Sequence, residues 1–152
     1  MNKSIKPGFT LVEMLVVISI IAILMIVVFE SLDPLRQFKE ARNARRWSHV
    51  NSISTATYRY IIEKGIYPKG IDEQKRQIGT SSTECDLNCP GAAAICLDLF
   101  STIVDFLPLM PMESNGGTQA KTGYTISKTG VNNVITVTAC SRENGANIFI
   151  MR

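Results

Sequence analysis

From Phe9 to Phe29 the chain is apolar at every position except Thr10, Glu13 and Ser19. A helix of that length crosses the hydrocarbon of a bilayer, which is about 30 Å thick. In a chain of 152 residues this leaves room for one membrane segment and one small domain. Lys3 and Lys6 precede the run with no acid beside them. The positive-inside rule therefore places the N-terminus in the cytoplasm and everything after Phe29 outside it. Glu13 is the anomaly, because a charge at membrane depth costs about 2.5–3.5 kcal/mol on insertion scales and usually faces a partner instead of lipid.

An ordinary secretory signal accounts poorly for this segment. The run exceeds the usual apolar core of about 7–15 residues, and Glu30, Ser31, Leu32 and Asp33 offer no small-x-small cleavage site. A plain signal anchor fits the length but gives no role to Glu13. It also leaves unexplained Pro7 and Gly8, which break a helix just before the run.

Gly8, Phe9, Thr10, Leu11, Val12 and Glu13 read GFTLVE after a short basic leader. This resembles the class III signal of type IV pilins and pseudopilins. The resemblance implies cleavage between Gly8 and Phe9 by the inner-membrane prepilin peptidase, followed by N-methylation of Phe9. Cleavage creates a cationic α-amine on Phe9, and Glu13 lies four residues along, about 6 Å of helical rise away. The resemblance gives Glu13 and Phe9 a role in filament assembly, the carboxylate meeting the amine of a neighbouring subunit. A pair within one chain is the alternative.

The helical pattern continues past the membrane run, with Leu35, Phe38 and Ala41, then Trp47, Val50, Ile53, Ala56 or Thr57, and Tyr60 or Ile61 at spacings of three and four. Lys64, Gly65 and Pro68 supply a stop near Glu63 or Lys64. Pro34 removes one backbone hydrogen bond from this stretch, so a kink or a local restart after Asp33 is expected there. In the related filaments this region can lose regular structure, which makes a melted segment around Ser31 to Leu35 the alternative. Arg36, Lys39, Arg42, Arg45, Arg46 and His49 form the densest basic stretch. It reads as a solvated or inter-subunit face, with anionic headgroups or nucleic acid as the competing partner.

Beyond Tyr67 and Pro68 comes a polar connecting loop, Lys69 to Glu84. Leu97, Phe100, Ile103, Val104 and Leu107 then recur at helical spacing as far as Pro108. Tyr124 to Lys128, Val134 to Cys140 and Asn147 to Met151 are strand-like and punctuated by turn residues, including Asn144 and Gly145. A three-stranded antiparallel meander covered by the Val50 to Ile61 part of the helix is expected. The fold class is thus α+β: a long N-terminal helix with a transmembrane lower half and an amphipathic upper half, on a small C-terminal antiparallel sheet. This is the lollipop layout of the pilin family. The expected boundaries are 1–8 for the leader, 9–29 for the membrane and filament-core helix, 30–64 for its continuation, and 65–152 for an extracytoplasmic head.

An oxidising compartment favours disulfides among Cys85, Cys89, Cys96 and Cys140. Their spacing suits a zinc site poorly. Three pairings are open, and the placement of Cys140 on the middle strand and Cys96 at the start of the short helix favours Cys96–Cys140 with Cys85–Cys89.

No nucleophile, base and orienting carboxylate are grouped, no phosphate-binding glycine loop occurs, and His49 is the lone histidine. No enzymatic activity, metal or cofactor is expected. The expected function is a structural subunit of a type IV pilus-like filament, a precursor in the inner membrane that ends in a cell-surface filament. Its expected partners are other pilins, the prepilin peptidase, the membrane and the inner-membrane assembly machinery. The alternatives are a pseudopilin of a type II secretion system, and a minor pilin that receives DNA or a surface through Lys121, Lys128, Arg142 and Arg152. Residues 113 to 152 contain only Glu113 and Glu143 as acids, which counts against a calcium-binding pseudopilin loop.

Overall fold

The computed structural model describes residues 8–152; the basic leader residues Lys3 and Lys6, with Pro7, lie outside the described residues. The chain divides after Phe38 into two compact units.

In the first unit, helix α1 runs over Leu11–Leu32. Thr10 is its N-cap, in extended conformation, with its hydroxyl accepting from the Glu13 amide at 3.2 Å. Such a cap satisfies one of the first-turn donors that have no partner inside the helix. The hydroxyl of Ser19 donates to the Leu15 carbonyl at 2.7 Å and that of Ser31 to Val28 at 3.0 Å. The uncharged polar side chains of the apolar run are therefore satisfied within the helix itself, as a lipid environment demands. The span Leu11–Ser31 has a mean hydropathy of 3.1, and none of its most apolar window is buried.

The helix stops at Asp33, which takes a left-handed conformation at φ 36°. Pro34 follows as the first residue of α2, Pro34–Lys64. Proline suits that position because its missing N–H would be unpaired there in any case. Asp33 caps the restart: its Oδ1 accepts from the Arg36 amide at 3.3 Å, and its carbonyl accepts from Arg36 at 3.0 Å and Gln37 at 3.3 Å. Of the alternatives raised by Pro34, the structure shows a break and restart. At the other end Gly65, at φ 70°, donates to the Ile61 carbonyl at 2.8 Å and ends α2 where the sequence places the stop.

The second unit carries a four-stranded antiparallel sheet in the order β1-β2-β3-β4, with β1 at Arg76–Gln77, β2 at Tyr124–Lys128, β3 at Ile135–Ala139 and β4 at Phe149–Met151. Tyr124 faces Ala139 across β2 and β3, and Thr138 faces Phe149 across β3 and β4. The β3–β4 turn has Asn144 at φ 54° and Gly145 at φ 68°, with Ala146 donating to the Glu143 carbonyl. Positive φ at both central residues is the hairpin geometry that Asn-Gly favours.

Buried Ile135, Val137 and Ala139 alternate along β3 and join Tyr124 and Ile126 of β2 against Val50, Ile53 and Ala56 of α2. The helix cover expected for the sheet is therefore present. Ile71, Ile78, Leu99, Ile103, Met110 and Ile148 complete the core. Each such side chain contributes about 1.5–3 kcal/mol by leaving water.

Three expectations are corrected. The polar loop Lys69 to Glu84 contains β1, paired with Thr125 and Ile126, so the meander gains a fourth strand. Two polar residues, Arg76 and Gln77, are too short a run to carry an alternation that would betray a strand. The helix expected over Leu97 to Leu107 shrinks to α3, Phe100–Ile103, because Leu97 bridges Ile78 in extended pairing and is held by Gln77 and Gly79. The disulfides are Cys85–Cys96 and Cys89–Cys140, not the favoured Cys96–Cys140 with Cys85–Cys89. Cys96 lies before the Leu97 bridge instead of opening a helix, and the Cys85 amide donates to Ala94 at 3.0 Å, folding the segment back on itself.

Candidate functional site

Two places concentrate chemistry. The first is the N-terminal end of α1. Gly8 and Phe9 are exposed and precede the capped turn, and Glu13 sits in that turn with its amide bonded to Thr10. The Glu13 carboxylate has no ion-pair partner among the described residues. A carboxylate in the first helical turn is favoured by the positive end of the helix dipole. That effect is modest beside the cost of a charge at membrane depth.

The second place lies in the basic stretch expected to be a solvated or inter-subunit face: Arg36, Lys39 and Arg45 are exposed, whereas Arg46 is buried and, with half-buried Arg42, enters an ion cluster. Arg46 is 1 % exposed, and its Nε donates to Oε2 of Glu113 at 2.8 Å. Its Nη1 donates to the Asn43 side-chain oxygen at 2.7 Å, and its Nη2 lies 3.7 Å from Oε1 of Glu143. Arg42 holds the same Glu143 through Nε and Nη2, each at 3.0 Å. Asn43 donates to the Glu143 carbonyl at 2.8 Å. Two arginines of α2 are thereby tied to the only two acids beyond residue 112.

The protonation behaviour follows from these contacts. Burial works to lower the pKa of Arg46, but its hydrogen bond to Glu113 and the charges of Glu113 and Glu143 outweigh that and raise it. The hydrogen bond from Arg42 pulls Glu143 below the ordinary carboxylate range. His49 Nδ1 lies 2.8 Å from the Tyr124 hydroxyl, the rings meeting edge to face. Desolvation lowers the His49 pKa, and Arg45 adds to the effect against the opposing pull of Glu113. Burial likewise pushes Tyr124 well above its usual value.

The spacing already held a signal for this cluster. Arg46 stands four residues before Val50, which is followed at intervals of three and four by Ile53 and Thr57, all buried. Arg46 is thus a charged member of the core-facing stripe, and a charge there calls for a buried acid. Of the other residues proposed for nucleic acid, Lys121 pairs with Glu84 at 3.3 Å, Arg142 with the Asn147 side chain at 2.6 Å, and Arg152 reaches Thr55 and Asn51. Lys128 lies 5.0 Å over the ring of Tyr67.

Residues 4–29 match the prokaryotic N-terminal methylation motif. The chain is also 32 % identical over 80 residues to the competence protein ComGC of Halalkalibacterium halodurans, a stretch covering 53 % of this chain and 76 % of that protein. The chain belongs to the type IV pilin and pseudopilin family. No solved structure matches it. In this pilin the motif match coincides with Gly8, Phe9 and the helix that carries Glu13, and the fold is the α+β arrangement of a pilin: an apolar helix, a second helix and a small antiparallel sheet.

Proposed function

We propose that this pilin is a structural subunit of a type IV pilus-like filament, built by lateral association of N-terminal helices after cleavage between Gly8 and Phe9 and methylation of Phe9. The observation that carries the proposal is α1 itself: a long apolar helix with no buried window, whose stretch up to Phe29 bears one carboxylate, Glu13, without an ion-pair partner among the described residues. Such a helix needs lipid before assembly and other helices after it. In the membrane the unpaired charge is costly, and the new Phe9 amine of a neighbour is the cation that relieves it.

The same reading makes other pilins, the prepilin peptidase and the membrane-embedded assembly machinery its partners. It places the precursor in the inner membrane with its N-terminus in the cytoplasm and the head outside. The two disulfides of the head support that orientation, since disulfides persist in oxidising compartments. The proteins it resembles are structural, and no catalytic role is assigned. The name of the relative favours a filament used in competence. The secretion pseudopilin is less favoured, because Glu113 and Glu143 are both committed to arginines.

The test replaces Glu13 with Ala in the producing cell and images surface filaments. Normal leader removal without filaments is the expected result. Wild-type filament numbers from the variant would overturn the role given to Glu13.

A further inference from the structure

Helix α2 and strand β4 run side by side in the head. Asn43 donates to the Glu143 carbonyl in the turn that leads into β4, and Asn51 and Thr55 accept from Arg152 at its end. Trp47 lies halfway between Asn43 and Asn51 on the same side of the helix, and it is 43 % exposed. We propose that the open edge of β4 beside Trp47 takes up an extended segment of another protein as a fifth strand, a segment apolar in its middle and acidic at its ends.

Three observations carry the proposal. The first is unmet backbone hydrogen bonding. Ile135 and Arg152 exchange both of their backbone bonds, and the Ala139 amide donates to the Ile148 carbonyl. Bonded and non-bonded pairs alternate along an antiparallel ladder. Thr136 with Met151 and Thr138 with Phe149 are therefore non-bonded pairs, and the N–H and C=O groups of Phe149 and Met151 point away from β3. Such a row is a template for another strand. The opposite edge of the sheet is closed. Leu97 donates to Gln77 at 2.8 Å and accepts from Gly79 at 3.0 Å, and Ala93 donates to Lys75.

The second is apolar surface. Phe149 and Met151 are exposed on the face of β4 opposite Ile150, which packs against the core. Alternate side chains of an added strand would lie over Phe149 and Met151 on one face and over Ile150 and Trp47 on the other. Edges kept free of partners commonly carry charge or proline, and β4 has neither from Phe149 to Met151.

The third is charge. Arg142 donates to the Asn147 side chain at 2.6 Å just before β4, and Arg152 stands just after it. Neither arginine pairs with an acid among the described residues. Acidic ends on the incoming segment complement both. The same cations disfavour a second copy of this chain, because antiparallel pairing of two β4 edges sets the Arg142 end of one against the Arg152 end of the other. Continuation of the sheet through β1 of a copy is blocked by Leu97.

The experiment titrates the full chain in detergent micelles with the end-capped peptide Glu-Glu-Val-Thr-Val-Thr-Val-Glu-Glu, following Trp47 fluorescence and amide hydrogen exchange. Saturable binding with slowed exchange at the Phe149 and Met151 amides is expected. Met151→Pro removes an outward N–H without touching a bond to β3. It should weaken binding about fivefold, the share of one hydrogen bond. Two altered peptides test the same edge on the unchanged chain. Lysines in place of the glutamates should weaken binding about fivefold, a difference that about 1 M salt removes. Proline in place of the central valine should abolish binding. Absence of saturable binding, or binding indifferent to all three changes, would overturn the proposal. So would slow exchange at both amides before any peptide is added, which would place a second copy on the edge.

Discussion

Arg46 Nε donates to Glu113 Oε2 at 2.8 Å across 67 residues of sequence, with both side chains almost wholly out of water. The bond joins helix α2 to a loop of the head, and both partners are charged. Removing one member leaves the other charged, buried and unpaired. Arg46→Ala should therefore cost about 3–5 kcal/mol, read as a lower urea midpoint by the fluorescence of neighbouring Trp47, the single tryptophan. The double variant Arg46→Met, Glu113→Leu should recover most of that loss. A double variant as unstable as the single one would show that the ion pair is not what stabilises this junction.

Acid should loosen the same region in two steps. Desolvation lowers the His49 pKa from 6.5, so the folded state holds the neutral ring and the unfolded state binds the proton more readily. The stability linked to His49 is complete above pH 6.5 and is lost as pH falls through the folded value. Glu143, held below its usual range by Arg42, adds a second loss further into acid. Urea midpoints measured across a pH series should show both slopes. His49→Gln should flatten only the one nearer neutrality, and Arg42→Gln the more acidic one.

The two disulfides close loops of unequal length, with sequence separations of 11 and 51. In the chain-entropy picture their removal costs about 3 and about 4 kcal/mol respectively. Cys89→Ser with Cys140→Ser should therefore lower the denaturation midpoint more than Cys85→Ser with Cys96→Ser. Connectivity is checked directly by mass spectrometry after cleavage before Asp86, between Ala92 and Ile95 and after Lys121, which separates the four cysteines. A Cys96–Cys140 peptide would refute the pairing.

The break between α1 and α2 rests on Asp33 in a left-handed conformation and on Pro34 beside it. Asp33→Gly keeps the conformation accessible but removes the side-chain cap, so amide protection should fall slightly at Arg36 and stay nearly unchanged at Gln37, which is held by the residue-33 carbonyl. Asp33→Val should destabilise the junction by about 1–2 kcal/mol, the cost of a β-branched residue there. The pair Asp33→Ala, Pro34→Ala removes cap and block together and should raise helix content and slow exchange at Leu35 to Gln37. Circular dichroism and hydrogen exchange read both effects.

How much of this was legible depends on how local each signal is. The apolar N-terminal helix, the Gly65 stop, the Asn144-Gly145 turn and strand Tyr124–Lys128 are written in neighbouring residues, and the structure bears them out. Strand β1 and the disulfide pairing are set by chain segments far apart in sequence, where no local pattern exists. The short helix is shorter than its spacing suggests because Leu97 satisfies a helical spacing while its backbone pairs with Ile78. Arg46 was misjudged differently. Its charge was read with its basic neighbours, whereas its register with Val50, Ile53 and Thr57 put it in the core.

The Thr10 cap has a bearing on the order of events during maturation. Gly8 and Phe9 lie outside the first helical turn, and Thr10 itself is extended. A cut between Gly8 and Phe9 would fall in unwound chain and leave the Thr10 to Glu13 bond untouched. On the proposed cleavage the helix would therefore be complete before the cut, which would expose an end without having to remake one.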